Sequence, residues 1–223
     1  MIIGIIDVTT IGSTICQRRI SELGGKNGDH PEFVVHSLPF SLYKKHLINE
    51  DWHQVSNLLI KSIKILESAG ADFIIMPSNT PHYSYKEANE YSTVPFINLI
   101  SVVANHCENT GYKNVTLLGT KSTMSGGLYT EHLEKYGIKI ITPNQEVQDK
   151  LNSFILNEVI PEKINPDTLS QLVKNLSDIN TDAFILGCTE LPDVFSEKIL
   201  GKPCIDTTQI IADKAFEINN KGL

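Results

Sequence analysis

Two continuously apolar runs, Phe73-Ile74-Ile75-Met76 and Phe184-Ile185-Leu186, constrain this chain more than any other feature. Neither shows the alternation of a half-buried strand. Unbroken apolar runs suit strands covered on both faces, which is the condition of a parallel sheet. Further strand candidates are residues 2–6, 32–37, 96–99, 115–119, 139–142 and 203–205, with the two runs themselves giving 73–76 and 183–186. Helical patterns separate them, for example 52–69, 102–111, 145–158 and 209–218. Strand-helix alternation predicts an α/β fold with mainly parallel sheets.

The two runs belong to a longer internal echo. Ala71-Asp72-Phe73-Ile74-Ile75-Met76-Pro77-Ser78-Asn79-Thr80 aligns with Thr181-Asp182-Ala183-Phe184-Ile185-Leu186-Gly187-Cys188-Thr189-Glu190 at an offset of half the chain. Asp falls on Asp, apolar on apolar, and Ser78 on Cys188. Residues 2–6 are echoed in the same way by 115–119. So long a repeat is not a solenoid; it predicts two pseudo-symmetric α/β halves, 1–98 plus 208–223 and 99–207, with an active site in the cleft between them.

Composition removes several functions. The formal net charge is −7 and there is no Lys/Arg block, so nucleic acid and membrane surfaces are poor partners. No stretch reaches the ~18 apolar residues of a spanning helix. The N-terminus, Met1-Ile2-Ile3-Gly4-Ile5-Ile6-Asp7, reads as a first strand and not as a signal peptide, so a cytoplasmic protein is expected. Cys16, Cys107, Cys188 and Cys204 form no CxxC pair, and there is no HExxH, which argues against structural zinc; the expected absence of an export signal argues against disulfides. The chemistry is expected from side chains, with no cofactor.

Ligands of open α/β sheets bind beyond the carboxyl ends of strands. Ser78 and Cys188 both lie there. Thr80-Pro81 and Glu190-Leu191-Pro192 read as helix starts, and helix N-termini favour a carboxylate or phosphate. Asn79, Thr80 and Thr189 add side-chain donors. Cys16, Cys107 and Cys204 read as buried packing residues. Cys188, placed at a helix N-terminus, is expected to have a lowered pKa and to act as nucleophile or general base. A Cys–His dyad has no support, because His82 is near Ser78 in sequence and not near Cys188. Tyr43 and Trp52 read as helix-packing residues, with a lid as the alternative; His36 and His53 read as surface or helix-face residues.

Met76-Pro77-Ser78-Asn79-Thr80-Pro81-His82 resembles the first signature of the aspartate/glutamate racemase family, usually M-P-C-N-T-A-H, and Gly187-Cys188-Thr189-Glu190 resembles its second, G-C-T-E. Leu117-Leu118-Gly119-Thr120 with Thr123-Met124 resembles the start of the family's second half. The resemblance covers nearly the whole chain. It implies racemisation of an acidic amino acid, aspartate or glutamate, without pyridoxal phosphate or metal. Two thiols flank the substrate α-carbon; one removes a proton and the other delivers one. Asn79, Thr80, Thr120 and Thr189 match positions that hold the α-carboxylate and α-amino group, and the loop carrying Thr9 and Thr10 is expected to line the same cleft. A homodimer stays open.

Three departures qualify the resemblance. Ser78 replaces the first cysteine, either in a natural one-thiol member or through an engineered Cys→Ser change, and the sequence leaves both open. The family's glycine-rich first loop, G-G-M-[GS]-P, reads Asp7-Val8-Thr9-Thr10-Ile11. Residues 39–45 contain no Arg for a side-chain carboxylate, Tyr43 and Lys44 being nearest, and a later Lys position falls at Ile160. Two other functions remain: an arylmalonate-decarboxylase-like lyase using Cys188 alone, and a protein that only binds an acidic amino acid.

Overall fold

Strand β1 (Ile3–Asp7) is buried at all five positions, as a strand covered on both faces must be. The computed structural model describes residues 1–25 and 29–221. They fall into two compact units, one made of Met1–Val102 with the chain from Thr208 onward, the other of Val103–Thr207. Among the described residues every strand pairing is parallel, and no helix is long and apolar enough to cross a membrane.

In the first unit β1 is followed by α1 (Thr10–Leu23), β2 (Phe33–Ser37), α2 (Phe40–Ile48), α3 (Trp52–Ser68) and β3 (Phe73–Ile75). The sheet order is β2-β1-β3. Helix α3 shows why the crossovers are helical. Asp51 caps its start by accepting from the Gln54 amide, and Val55, Leu59, Ile63 and Leu66 recur on one fully buried face. That face packs with Ile6, Ile74 and Phe96 into one core. After β3 come a five-residue 3-10 turn, Thr80–Ser84, and α4 (Tyr85–Asn89). The strand expected over 96–99 is only a single parallel bridge between Ile74 and Phe96. It stops there because α5 (Leu99–Thr110) begins at once, with Asn98 Oδ1 accepting from the Ser101 amide.

The second unit runs β4 (Asn114–Leu118), α6 (Lys121–Ser125), α7 (Thr130–Glu134), β5 (Lys139–Ile140), α8 (Gln145–Phe154), α9 (Pro166–Ser177), β6 (Ala183–Leu186), α10 (Glu197–Leu200) and β7 (Cys204–Asp206). Its order is β5-β4-β6-β7. Helix α8 continues as a π-helical turn, Ile155–Val159, so the helix expected over 145–158 changes winding in its last turn. The final helix is α11 (Thr207–Lys221). Leu118, Leu151, Phe154, Phe184 and Leu186 lie in this unit's core.

The sequence echo is a structural repeat. Residues 71–80 and 181–190 have the same burial at every aligned position, from buried Ala71 and Thr181 to partly exposed Thr80 and Glu190. The hydrogen bonds repeat too. The Asp72 amide donates to Ile2 O at 2.8 Å, and the Asp182 amide to Asn114 O at 2.7 Å. The Asp72 carboxylate accepts from the Ile2 amide at 2.6 Å, and the Asp182 carboxylate from the Lys113 and Asn114 amides at 2.7 Å each. Ile74 donates to Pro95 O and Phe184 to Pro203 O, both at 2.8 Å. In each unit an aspartate therefore ties down the start of the central strand. The Asn114 and Lys113 amides, in that order, hold the Asp182 carboxyl below its ordinary pKa, and the Lys202 charge adds to this.

This tie generates a stability prediction. Hydrogen bonds to a charged group contribute ~1.5–3 kcal/mol each, but Asp182 is exposed, so Asp182→Ala should cost about 1–2 kcal/mol in all. The folded-state pKa lies below the unfolded one. The stabilisation is therefore present above the unfolded value of about 3.9 and is lost as pH falls through the folded value. Denaturant titrations of parent and variant should show the gap in full at neutral pH and a narrowing gap at acid pH. A gap independent of pH would refute the charge-based account.

Candidate functional site

The parallel register decides which residues leave each sheet together. Ile5 pairs with Ile75, so Thr9 and Thr10 follow one strand and Ser78, Asn79 and Thr80 its neighbour, all beyond the same carboxyl edge. Leu118 pairs with Leu186, so Thr120 and Cys188-Thr189 do the same in the second unit.

In the first unit the chain turns tightly after β3. The Ser78 amide donates to Met76 O at 2.9 Å, and Ser78 O is 2.7 Å from His82 Nδ1. Asn79 and His82 are buried; Ser78 and Thr80 are partly exposed. Thr10 is exposed and its carbonyl accepts from Thr14 Oγ1. Three buried polar atoms meet no hydrogen-bond partner among the described residues: Asp7 Oδ1 at the end of β1, Thr9 Oγ1 in the loop that follows, and the Tyr43 hydroxyl on α2. Ser62 Oγ is near Tyr43, but it is engaged by His36 Nδ1 at 3.0 Å and Leu58 O at 3.2 Å. Burial pushes the Tyr43 phenol up to about 12, and the Asp7 charge adds to it. Buried polar atoms without partners are uncommon and mark places where a water or ligand belongs. Asp7 was readable only as part of the first loop; its signal is a carboxylate directly at the carboxyl end of an apolar strand. Tyr43 is fully buried, which removes the lid reading, and Trp52 stacks on Tyr83 with ring centroids 4.5 Å apart.

In the second unit Gly187 lets the ends of β4 and β6 approach. A Cβ there would lie 3.1 Å from Leu118 O and 3.2 Å from Thr123 Cγ2. Next comes Cys188, whose Sγ–H donates to Glu190 Oε2 at 2.9 Å. Thr189 is buried. Thr120 Oγ1 lies 3.0 Å from Thr123 Oγ1 and 3.3 Å from Ser122 Oγ. The other thiols pack as expected. Cys16 and Cys107 are buried in helices and Cys204 lies in β7, with burial raising Cys107 to about 12 and Cys204 to about 11. Ile160 follows the π turn and is 47% exposed. Among the described residues no cluster of three or more His, Cys, Asp or Glu could hold a metal.

The structure overturns two local expectations. The helix starts read at Thr80-Pro81 and Glu190-Leu191-Pro192 are 3-10 turns, the first running on into α4 and the second only Leu191–Asp193, and Cys188 lies ahead of that turn and not at a helix N-terminus. Nor is the Cys188 pKa lowered. Burial pushes the thiol well above its ordinary value, the Glu190 carboxylate pushes it further, and the Thr189 and Glu190 amides aimed at the sulfur recover only part. Glu190, singled out in the sequence only as part of a motif and a helix start, is the thiol's hydrogen-bond partner.

Comparison with known proteins follows the same lines. A sequence model of the family described as Asp/Glu/Hydantoin racemase matches residues 3–215. The broad specificity amino-acid racemase RacX of Bacillus subtilis is 26% identical over 185 residues, 82% of this chain and 80% of that protein. An aspartate racemase homologue from Pyrococcus horikoshii superposes with a TM-score of 0.84 at 29% identity, covering 98% of this chain and 99% of that one. The aspartate racemase of Picrophilus torridus gives 0.76 at 26% identity, over 100% and 99% of the two chains.

A protonated, carboxylate-bound thiol reacts slowly with alkylating agents. At pH 7 Cys188 should be alkylated by iodoacetamide more slowly than a free thiol. Glu190→Gln removes the neighbouring negative charge, should lower the thiol pKa, and should speed the reaction on the order of tenfold. Peptide mapping by mass spectrometry reads the rates. An unchanged rate in the variant would show that the carboxylate does not control this sulfur.

Proposed function

Because the chain belongs to the Asp/Glu/Hydantoin racemase family, we propose that it racemises an amino acid by α-proton transfer at Cys188, with Ser78 at the position of the second acid/base. One observation carries the reading: the Cys188 thiol donates to Glu190 Oε2 at 2.9 Å at the carboxyl end of β6. A protonated thiol is ready to donate. To act as base it first passes its proton to Glu190 Oε2. The thiolate then takes the α-proton, the C–H electron pair moves toward the α-carboxylate, and the negative charge rests there. Asn79, Thr80, Thr120 and Thr189 supply donors for that carboxylate, where charge builds in the transition state. The loop of Thr9 and Thr10 completes the substrate contacts. Ser78 is a far weaker acid than a thiol, so proton delivery from its side is slow.

The substrate proposed is aspartate or glutamate, with Tyr43 and Lys44 in the segment that the resemblance assigns to the side-chain carboxylate. A second reading, a neutral side chain, is favoured by a specific observation. Lys121, next to Thr120, is committed to Asp149 at 3.1 Å, and Lys44 is exposed on α2. The similarity to a racemase named for broad specificity supports the same alternative. Racemisation rates across acidic and neutral amino acids decide between them. If Lys44 holds the side-chain carboxylate, Lys44→Ala should lower activity on aspartate and glutamate selectively. Equal losses on neutral amino acids would remove Lys44 from specificity.

Proton exchange in heavy water tests the mechanism. The L-enantiomer should exchange its α-proton faster than the D-enantiomer, because only the Cys188 face carries a thiol. Cys188→Ala should abolish exchange, Glu190→Gln should slow it by roughly 10²-fold, and Ser78→Cys should speed both directions by one common factor. Asn79→Ala and Thr189→Ala should each weaken substrate binding by roughly 1–3 kcal/mol. Exchange at the parent rate in Cys188→Ala would sink the assignment. CO₂ release from an arylmalonate would establish the lyase, and tight binding without exchange the binding protein.

A further inference from the structure

His82 joins two backbone groups that are 21 residues apart in sequence, Ser78 and Leu99. Its Nε2 accepts from the Leu99 amide at 3.1 Å, and its Nδ1 lies 2.7 Å from the Ser78 carbonyl oxygen. An amide nitrogen can only donate, so Nε2 carries no proton. A carbonyl can only accept, so Nδ1 carries one. The two partners together select the neutral ring and one tautomer. The ring is buried and stacks on Tyr85 at 5.8 Å and 11°. Tyr85 is in turn held by its hydroxyl donating to Phe96 O at 2.7 Å.

The Ser78 backbone is therefore fixed on both sides. Its amide is tied to Met76 O and its carbonyl to His82. With both peptide planes held, the direction of the Ser78 Cα–Cβ bond is set and Oγ has one remaining torsion. The plane between Ser78 and Asn79 is set as well, so the Asn79 amide points away from His82. The second unit pins the equivalent carbonyl by other means: Cys188 O accepts from the Leu191 amide at 3.1 Å. A fixed carbonyl at this position recurs in both halves of the repeat, and in the first half a side chain supplies the donor.

We propose that His82 is a positioning residue. Its neutral, Nδ1-protonated imidazole orients Ser78 and the Asn79 peptide for catalysis while its other nitrogen ties the start of α5. This rests on the racemase reading for its catalytic consequence but not for its geometry.

Two substitutions separate the tasks. His82→Asn places an amide nitrogen near the position of Nδ1 and keeps the donor to Ser78 O. His82→Gln places an acceptor near Nε2 and keeps the tie to Leu99. Misplacing a reacting group is costly, so His82→Gln should lower kcat about tenfold, with a smaller rise in KM through Asn79 and little loss of stability. His82→Asn should lower the denaturant midpoint more and kcat less. Losses of kcat that simply follow stability in both variants would overturn the proposal. Two NMR readouts need no turnover, so an inactive parent would defeat the racemase reading without hiding this one. Imidazole ¹⁵N spectra of the parent should show the Nδ1-protonated neutral ring; a proton on Nε2 would overturn the proposal. The Asn79 amide resonance should move in His82→Gln and stay near the parent position in His82→Asn; the reverse pattern would overturn it too.

Discussion

Two parallel strands cannot be joined by a tight turn; the chain must cross back, and a helix is the economical way to do so. Everything else in this protein follows from that constraint. With β1 and β6 buried on both faces, the crossovers must supply apolar cover, as α3 does with Val55, Leu59, Ile63 and Leu66. Because all strands in a sheet run the same way, their carboxyl ends share one edge. Thr9 and Ser78 are gathered at one such edge, and Thr120 and Cys188 at another, by strand direction alone. Close approach at that edge needs a residue without a side chain, which is the place Gly187 fills.

At Cys188 three effects compete. Two amides aimed at the sulfur favour the thiolate; burial and the Glu190 carboxylate oppose it, and they win. The outcome suits proton transfer better than nucleophilic attack. A nucleophile is helped by a lowered thiol pKa, whereas an acid/base group needs a proton that it can give and a place to pass it. In the proposed mechanism Glu190 Oε2 is that place, and it lies only two residues along the chain. Glu190 lies just ahead of the 3-10 turn Leu191–Asp193, and its carboxylate reaches back to the sulfur beside the two amides.

The two halves of the repeat also show how one backbone plan diverges. Asp72 and Asp182 tie the central strands alike, and Pro95 and Pro203 receive equivalent amides. At the site loops the plan differs. A thiol with a carboxylate stands after β6, and a hydroxyl whose backbone is braced by an imidazole stands after β3. The proposed preference for one enantiomer rests on this asymmetry between the two loops.

The amino-acid sequence by itself determined the fold class, the central strands and the repeat. These depend on local facts, namely unbroken apolar runs, helical periodicity and the matched decapeptides around Ser78 and Cys188, and each survives in the structure with strand ends shifted by one or two residues. Over residues 96–99 Leu99 is apolar in either state; the local cap at Asn98 and the tertiary bond from the Leu99 amide to His82 together make Leu99 the first residue of a helix. The direction of the Cys188 pKa was misread for a related reason. A pKa is set by burial and by charges in space, and whether Glu190 or a row of amides faces the sulfur depends on the turn, which the letters G-C-T-E do not specify. The same holds for Asp7, Thr9 and Tyr43, whose polar atoms are left without partners only once the sheet and α2 have packed around them.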